Sequence, residues 1–112
     1  MNLIYVCSPF SGNISLNIKK ARVYSRQIVE QGDLPLCVHL FLDQVSGLSE
    51  LNGDRERLLA LGIDYLSKCD FIYVFIEDEI TSGMKGEIEY AKLLNIPIKY
   101  IYVNIMTNNT SF

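Results

Sequence analysis

The stretch Thr81-Ser82-Gly83-Met84-Lys85-Gly86-Glu87-Ile88-Glu89-Tyr90-Ala91 places a hydroxyl residue able to cap a helix, two glycines that permit close backbone approach, and a carboxylate in the early turns that follow. Glu87 is the informative residue. Near a helix N-terminus its ionised form is favoured, and an ionised carboxylate facing a cleft can attack a sugar carbon or stabilise an oxocarbenium-like transition state. The ordinary alternative is a glutamate that only complements the helix dipole.

A second segment, Ser8-Pro9-Phe10-Ser11-Gly12-Asn13, leads from a strand toward a helix. Its small side chains and free backbone N–H groups suit an anionic or hydroxyl-rich ligand, although it is neither a Walker loop nor a dinucleotide fingerprint and could be a plain strand-to-helix turn. His39, the single histidine, follows the second strand and could act as an acid or base from the side of a cleft; a structural histidine bonded to a backbone carbonyl is the competing role. Glu77, Asp78 and Glu79 form an acidic run. Consecutive carboxylates in a loop usually point apart into water, so no metal site is expected there, and no cofactor is expected elsewhere.

The elements that must position these groups follow from periodicity. Leu3 to Cys7 is a short run of strand formers closed by Ser8-Pro9. From about Ser15 to Gln31 the positions Ile18, Ala21, Ile28 and Val29 recur at helical spacing, with Asn13 or Ser15 as N-cap and Gly32 as the stop. Leu34 to Leu40 reads as a second strand broken by Pro35, and Asp43 to Gly53 as a loop. Asp54 can cap a helix to about Lys68 with Leu58, Leu59, Ile63 and Leu66 inward. Phe71 to Ile76 is a strand, Gly83 to Leu94 a helix with Ile88, Ala91 and Leu93 or Leu94 inward, and Ile98 to Val103 a last strand after Pro97.

Strands alternating with helices predict an α/β domain, a parallel sheet covered on both faces. Right-handed crossovers favour the strand order 2-1-3-4, which makes strands one and three neighbours. Open α/β sheets bind ligands at the carboxyl ends beside such a switch point, here Cys7-Ser8-Pro9-Phe10 and Ile76-Glu77.

Bulk properties narrow the function classes. The chain of 112 residues supports one core, read as a single domain over 1–103 with a polar tail over 104–112. Ten Lys+Arg against thirteen Asp+Glu leave a net charge of -3 and no basic stripe, which argues against a nucleic-acid polymer and for a small ligand. The opening residues carry no basic region and run into Ser8-Pro9, so no signal sequence is expected, and no apolar run approaches the roughly 18 residues of a membrane span. The expectation is a cytoplasmic protein that touches no membrane. Cys7, Cys37 and Cys69 read as buried thiols, with neither a disulfide framework nor a zinc site. Tyr73, Tyr100 and Tyr102 read as packing or interface residues.

Tyr5-Val6-Cys7-Ser8-Pro9-Phe10, together with Ser82-Gly83-Met84 and Glu87-Ile88-Glu89-Tyr90-Ala91, resembles the nucleoside 2-deoxyribosyltransferase family over most of the chain. It looks closer still to the family's short, mostly uncharacterised relatives in bacteria and phages, which share Cys-Ser-Pro-Phe, Lys-Cys-Asp and Ser-Gly-Met-x-x-Glu-Ile. The resemblance implies a three-layer flavodoxin- or Rossmann-like fold and a nucleoside or nucleotide ligand. It implies Glu87 as the nucleophile that captures the sugar and Tyr5 as its positioner, with the loop from Ser8 through Pro9, Phe10, Ser11 and Gly12 to Asn13 against the sugar or a 5'-phosphate. Ser82, Gly83 and Met84 belong to the same ligand-facing set, and homodimers or higher homo-oligomers that share residues between sites are implied too. Arg55 matches an arginine of the short relatives and could hold a phosphate, its ordinary alternative being a surface ion pair. The family aspartate that handles the leaving base's proton falls on Gly62. Asp64 is two residues, about 200 degrees of helix, away from that direction. Two functions follow: N-glycosidic bond cleavage or deoxyribosyl transfer, and a non-catalytic protein that sequesters or senses a nucleotide, of phage or mobile-element origin.

Overall fold

The computed structural model describes residues 1–46 and 55–103, and within these the side chains of 42, 43, 45, 46 and 55–59 fall outside the description. The elements run β1 (Leu3–Cys7), α1 (Ile14–Glu30), β2 (Leu34–Leu36), α2 (Val38–Ser46), α3 (Arg55–Ser67), β3 (Phe71–Ile76), α4 (Ser82–Leu93) and β4 (Ile98–Tyr102). The strands form one parallel sheet in the order β2-β1-β3-β4, as the crossover argument requires.

Period-two alternation divides each central strand between two cores. Ile4 and Val6 of β1 and Phe75 of β3 meet Ala21, Tyr24 and Ile28 of α1 on one face. Tyr5 and Cys7 of β1 and Ile72, Val74 and Ile76 of β3 meet Leu66 of α3 and Met84, Ile88 and Ala91 of α4 on the other. The register Tyr5 to Ile72 and Cys7 to Val74 fixes which residues share that second face.

Asn13 caps α1 by accepting the Leu16 N–H at 3.1 Å. Its buried stripe is Asn17, Ala21, Tyr24 and Ile28, spaced four, three and four residues apart. Val29, expected inward, is 56% exposed, because the stripe passes through Tyr24 and lies one residue off the purely aliphatic choice. At the helix end Gly32 sits at φ +90°, and the Asp33 and Gly32 N–H groups return to the Ile28 and Val29 carbonyls. Asn95 does the same for α4 at φ +58°, with the Ile96 and Asn95 N–H groups on the Ala91 and Lys92 carbonyls. Chain exit at that turn leaves Leu93 and Leu94 exposed, contrary to the expected inward leucine.

The largest departure from expectation lies between 34 and 46. The second strand stops at Leu36, and Val38–Ser46, read as strand end and loop, is helix. Pro35 has no N–H to extend the ladder, and the start of α2 is marked by no Ser, Thr, Asp or Asn. Cys37 stands there instead: its carbonyl accepts the Phe41 N–H at 3.1 Å, and the backbone of His39 and Leu40 favours the ionised form of its thiol against the effect of burial. A cysteine at this position carries no conventional sequence signal. The remainder of the expected loop, 47–53, and the tail 104–112 fall outside the described residues.

Candidate functional site

Glu87 is carried by α4, whose start is set by Thr81: the Thr81 side chain accepts the Met84 N–H at 3.2 Å. Positions 84, 88 and 91 form the buried stripe, and 87 lies on the same side of the helix. The Glu87 carboxyl therefore enters the space above the carboxyl end of β1. Cys7 Sγ donates to Glu87 Oε1 at 3.7 Å and approaches the Met84 carbonyl at 3.9 Å. The Tyr5 hydroxyl faces the same carboxyl, and its interaction with Glu87 lowers the Glu87 pKa and raises its own. Two neutral groups on alternate residues of one strand thus converge on a single carboxyl.

Burial raises the Glu87 pKa to about 7, and the interactions with Tyr5 and Cys7 pull it back only in part. The expectation that the helix N-terminus favours the ionised form is not met. Glu87 sits beyond the first turn, where the dipole's influence has decayed, so desolvation dominates. The same burial, reinforced by the Glu87 charge, pushes Tyr5 and Cys7 well above their ordinary values and keeps both protonated. Cys37 is pushed up to about 11, chiefly by burial and against the opposing effect of the His39 and Leu40 backbone.

The loop after β1 is held from both sides. Asn17 of α1 donates through Nδ2 to the Phe10 and Ser11 carbonyls, each at 2.9 Å. His39, the second residue of α2, stacks on Phe10 with ring centroids 4.5 Å apart and planes at 21°. Burial lowers its pKa below the ordinary imidazole value, against an opposing interaction with the Ser8 backbone. The geometry is that of the structural histidine weighed above. Ser8 itself is buried, and its Oγ has no hydrogen-bond partner among the described residues. Ser11, Gly12 and Asn13 are exposed, with Gly12 at φ +95°, and Pro9 is half-buried.

Ser82 and Gly83 are exposed in the first turn of α4, whereas the Met84 side chain belongs to the core and offers only its backbone to a ligand. Arg55 opens α3, and its side chain lies outside the described residues. Gly62 faces the site: a Cβ placed there would meet the Tyr5 hydroxyl at 3.4 Å. Asp64 is exposed, as the helical rotation requires. The acidic run does not point wholly into water. Asp78 and Glu79 are exposed, but Glu77 turns back onto α1, where Lys20 Nζ lies 2.8 Å from Oε1 and the Tyr24 hydroxyl donates to Oε2 at 2.6 Å. Among the described residues no group of three or more His, Cys, Asp or Glu could hold a metal ion.

Sequence reasoning missed Cys7, Cys37 and Asn17. Cys7 had a signal, since it stands two residues after Tyr5 and so shares its face. The other two act on backbone groups of neighbouring elements, which no local pattern encodes.

A parallel α/β sheet in the order 2-1-3-4, with a part-buried carboxyl at the switch point, defines a Rossmann-like α/β class. Residues 2–101 match the family described as Domain of unknown function (DUF7768), and the chain belongs to that family. Comparison with curated protein sequences gives no match. Among solved structures, the chain is similar to a 2-deoxyribosyltransferase from Bacillus psychrosaccharolyticus at 17% identity and TM-score 0.68, covering 96% of this chain and 80% of that one. It is also similar to a 2-desoxiribosyltransferase from Leishmania mexicana at 13% identity and TM-score 0.69, covering 100% of this chain and 74% of that one. At these identities the likeness concerns the fold. Among the described residues no helix is long and apolar enough to cross a membrane.

Proposed function

We propose that the protein breaks the N-glycosidic bond of a nucleoside or nucleotide, or transfers the deoxyribosyl group, with Glu87 as nucleophile. The observation that carries this reading is a part-buried carboxyl, faced by Tyr5 and Cys7, with no cation against it among the described residues. A Glu87 oxygen attacks C1' of the sugar, the C1'–N bond breaks, and the base leaves with the electron pair and takes up a proton. Water or a second base then attacks C1' and frees the carboxylate. Tyr5 orients the carboxyl; the loop Ser8–Asn13 and the first turn of α4 at Ser82 and Gly83 receive the sugar end. The fold shared with two deoxyribosyltransferases supports this substrate class.

Incubation with deoxynucleosides and their 5'-phosphates, read as free base by chromatography, tests the proposal. Base release that falls by about 1000-fold or more in Glu87→Gln is the expected result. Absence of release, or release indifferent to that substitution, rejects it. Gly62 favours a second reading, a nucleotide-binding protein without turnover, because no acid rises from that position toward a departing base. Calorimetric binding of an intact nucleotide with no base formed would select it.

A further inference from the structure

Several buried polar groups lie outside the proposed chemistry, and most have a structural task. Cys69 Sγ bonds the Tyr65 carbonyl at 3.3 Å, Cys37 opens α2 through its carbonyl, and Tyr24 holds Glu77. Cys7 is different, because its nearest acceptor is the Glu87 carboxyl itself.

We propose that Cys7 is a positioning residue for Glu87, whose thiol fixes the carboxyl in place while, as a weak donor, leaving its charge only slightly stabilised. The catalytic consequence rests on Glu87 being the nucleophile; the contact does not. Cys7 is the last residue of β1, paired in register with Val74 of β3 and wholly buried, so the sheet itself aims the donor. A single torsion places the sulfur, and little entropy is lost in holding it. A thiol donates more weakly than a hydroxyl. A serine at this position would stabilise the carboxylate further and make it a poorer nucleophile, and an alanine would release it.

The thiol must stay protonated to act in this way. Burial and the adjacent carboxylate both oppose its ionisation, which also makes it a poor target for oxidants. The ionisable groups that face Glu87 among the described residues are Tyr5 and Cys7 of β1 and Cys37 ahead of α2. β3 presents Val74 and Ile76 to that core, α3 presents Gly62 and Leu66, and α4 adds the apolar Met84 and Ile88, so among the described residues these elements bring no cation to the carboxyl.

The test follows the Glu87 carboxyl directly, in full-length protein carrying carbon-13 at the glutamate side-chain carboxyls, its signal identified by loss in Glu87→Gln. The titration midpoint should fall in Cys7→Ser and rise in Cys7→Ala, each by roughly half to one pH unit. Identical midpoints in folded wild type and either variant would overturn the proposal. Should the alanine variant not fold, the serine variant and the infrared S–H band of the wild-type protein remain. That band should move to higher wavenumber in Glu87→Gln, and an unmoved band would equally overturn it. If base is released, the acid limb of kcat should shift in the same order while KM changes less. The titration needs no substrate, so a protein that releases no base defeats the nucleophile reading while the thiol contact stands or falls on its own midpoints.

Discussion

Two glutamates stand near the carboxyl ends of the same sheet, on opposite faces, and they are treated in opposite ways. Glu77 leaves β3 toward α1, where a lysine and a tyrosine satisfy its two oxygens at 2.8 and 2.6 Å. Tyr24 in turn stacks on Phe75 at 4.4 Å, so the carboxylate, the helix and the strand form one clasp. Glu87 enters from α4 toward β1 and receives a phenol and a thiol, neither of them charged. A compensated carboxylate closes a structure. An uncompensated one is held at a cost in stability, and groups of this kind cluster at functional sites.

The contrast can be broken first through stability against pH. The Glu87 pKa is about 7 in the folded protein against an ordinary 4.5, so the folded state holds the extra proton between these values. Stability should be greatest below pH 4.5 as far as this group is concerned, fall as pH rises through about 7, and level off above it. Glu87→Gln removes the penalty and should stabilise the protein at pH 8.5 by on the order of 2–4 kcal/mol, with little effect near pH 5, as read by urea unfolding. An unchanged or lowered midpoint at pH 8.5 would contradict the account.

The clasp should respond in the other direction. Lys20→Met leaves Glu77 part-buried without its cation and should cost about 2 kcal/mol at pH 7, measured by the same unfolding experiment. A loss within error of zero would place Glu77 among ordinary surface ion pairs. The smallest effect sharpens the comparison at the floor of the site. Gly62→Ala adds a Cβ at an ordinary contact distance of 3.4 Å from the Tyr5 hydroxyl and should stabilise α3 by about 0.5–1 kcal/mol. Destabilisation would mean that the space beside Tyr5 does not tolerate even a methyl group.

Much of this arrangement was legible in the residues. The alternating strand and helix signals and the crossover rule led to the order 2-1-3-4 and to the switch point. Ile88 and Ala91 were read as inward, whereas Met84, expected to face a ligand, completes their buried stripe; helical rotation separates Gly62 from Asp64 as expected. The clasp was not legible, because Lys20, Tyr24 and Glu77 are distant in sequence and Glu77 looked like one of three solvated acids. Nor was α2, which starts after a buried cysteine and whose His39 finds its place only once Phe10 arrives from another element.

What the chain determines by itself is therefore periodic: which faces are apolar, where helices start and stop by hydroxyl, amide and glycine chemistry, and hence which sheet the strands build. What tertiary structure alone decides is the state of each charge. Whether a carboxyl meets an ammonium or a thiol, and whether it is ionised at neutral pH, depends on desolvation and on partners tens of residues away, neither of which exists until the two faces of the sheet have closed.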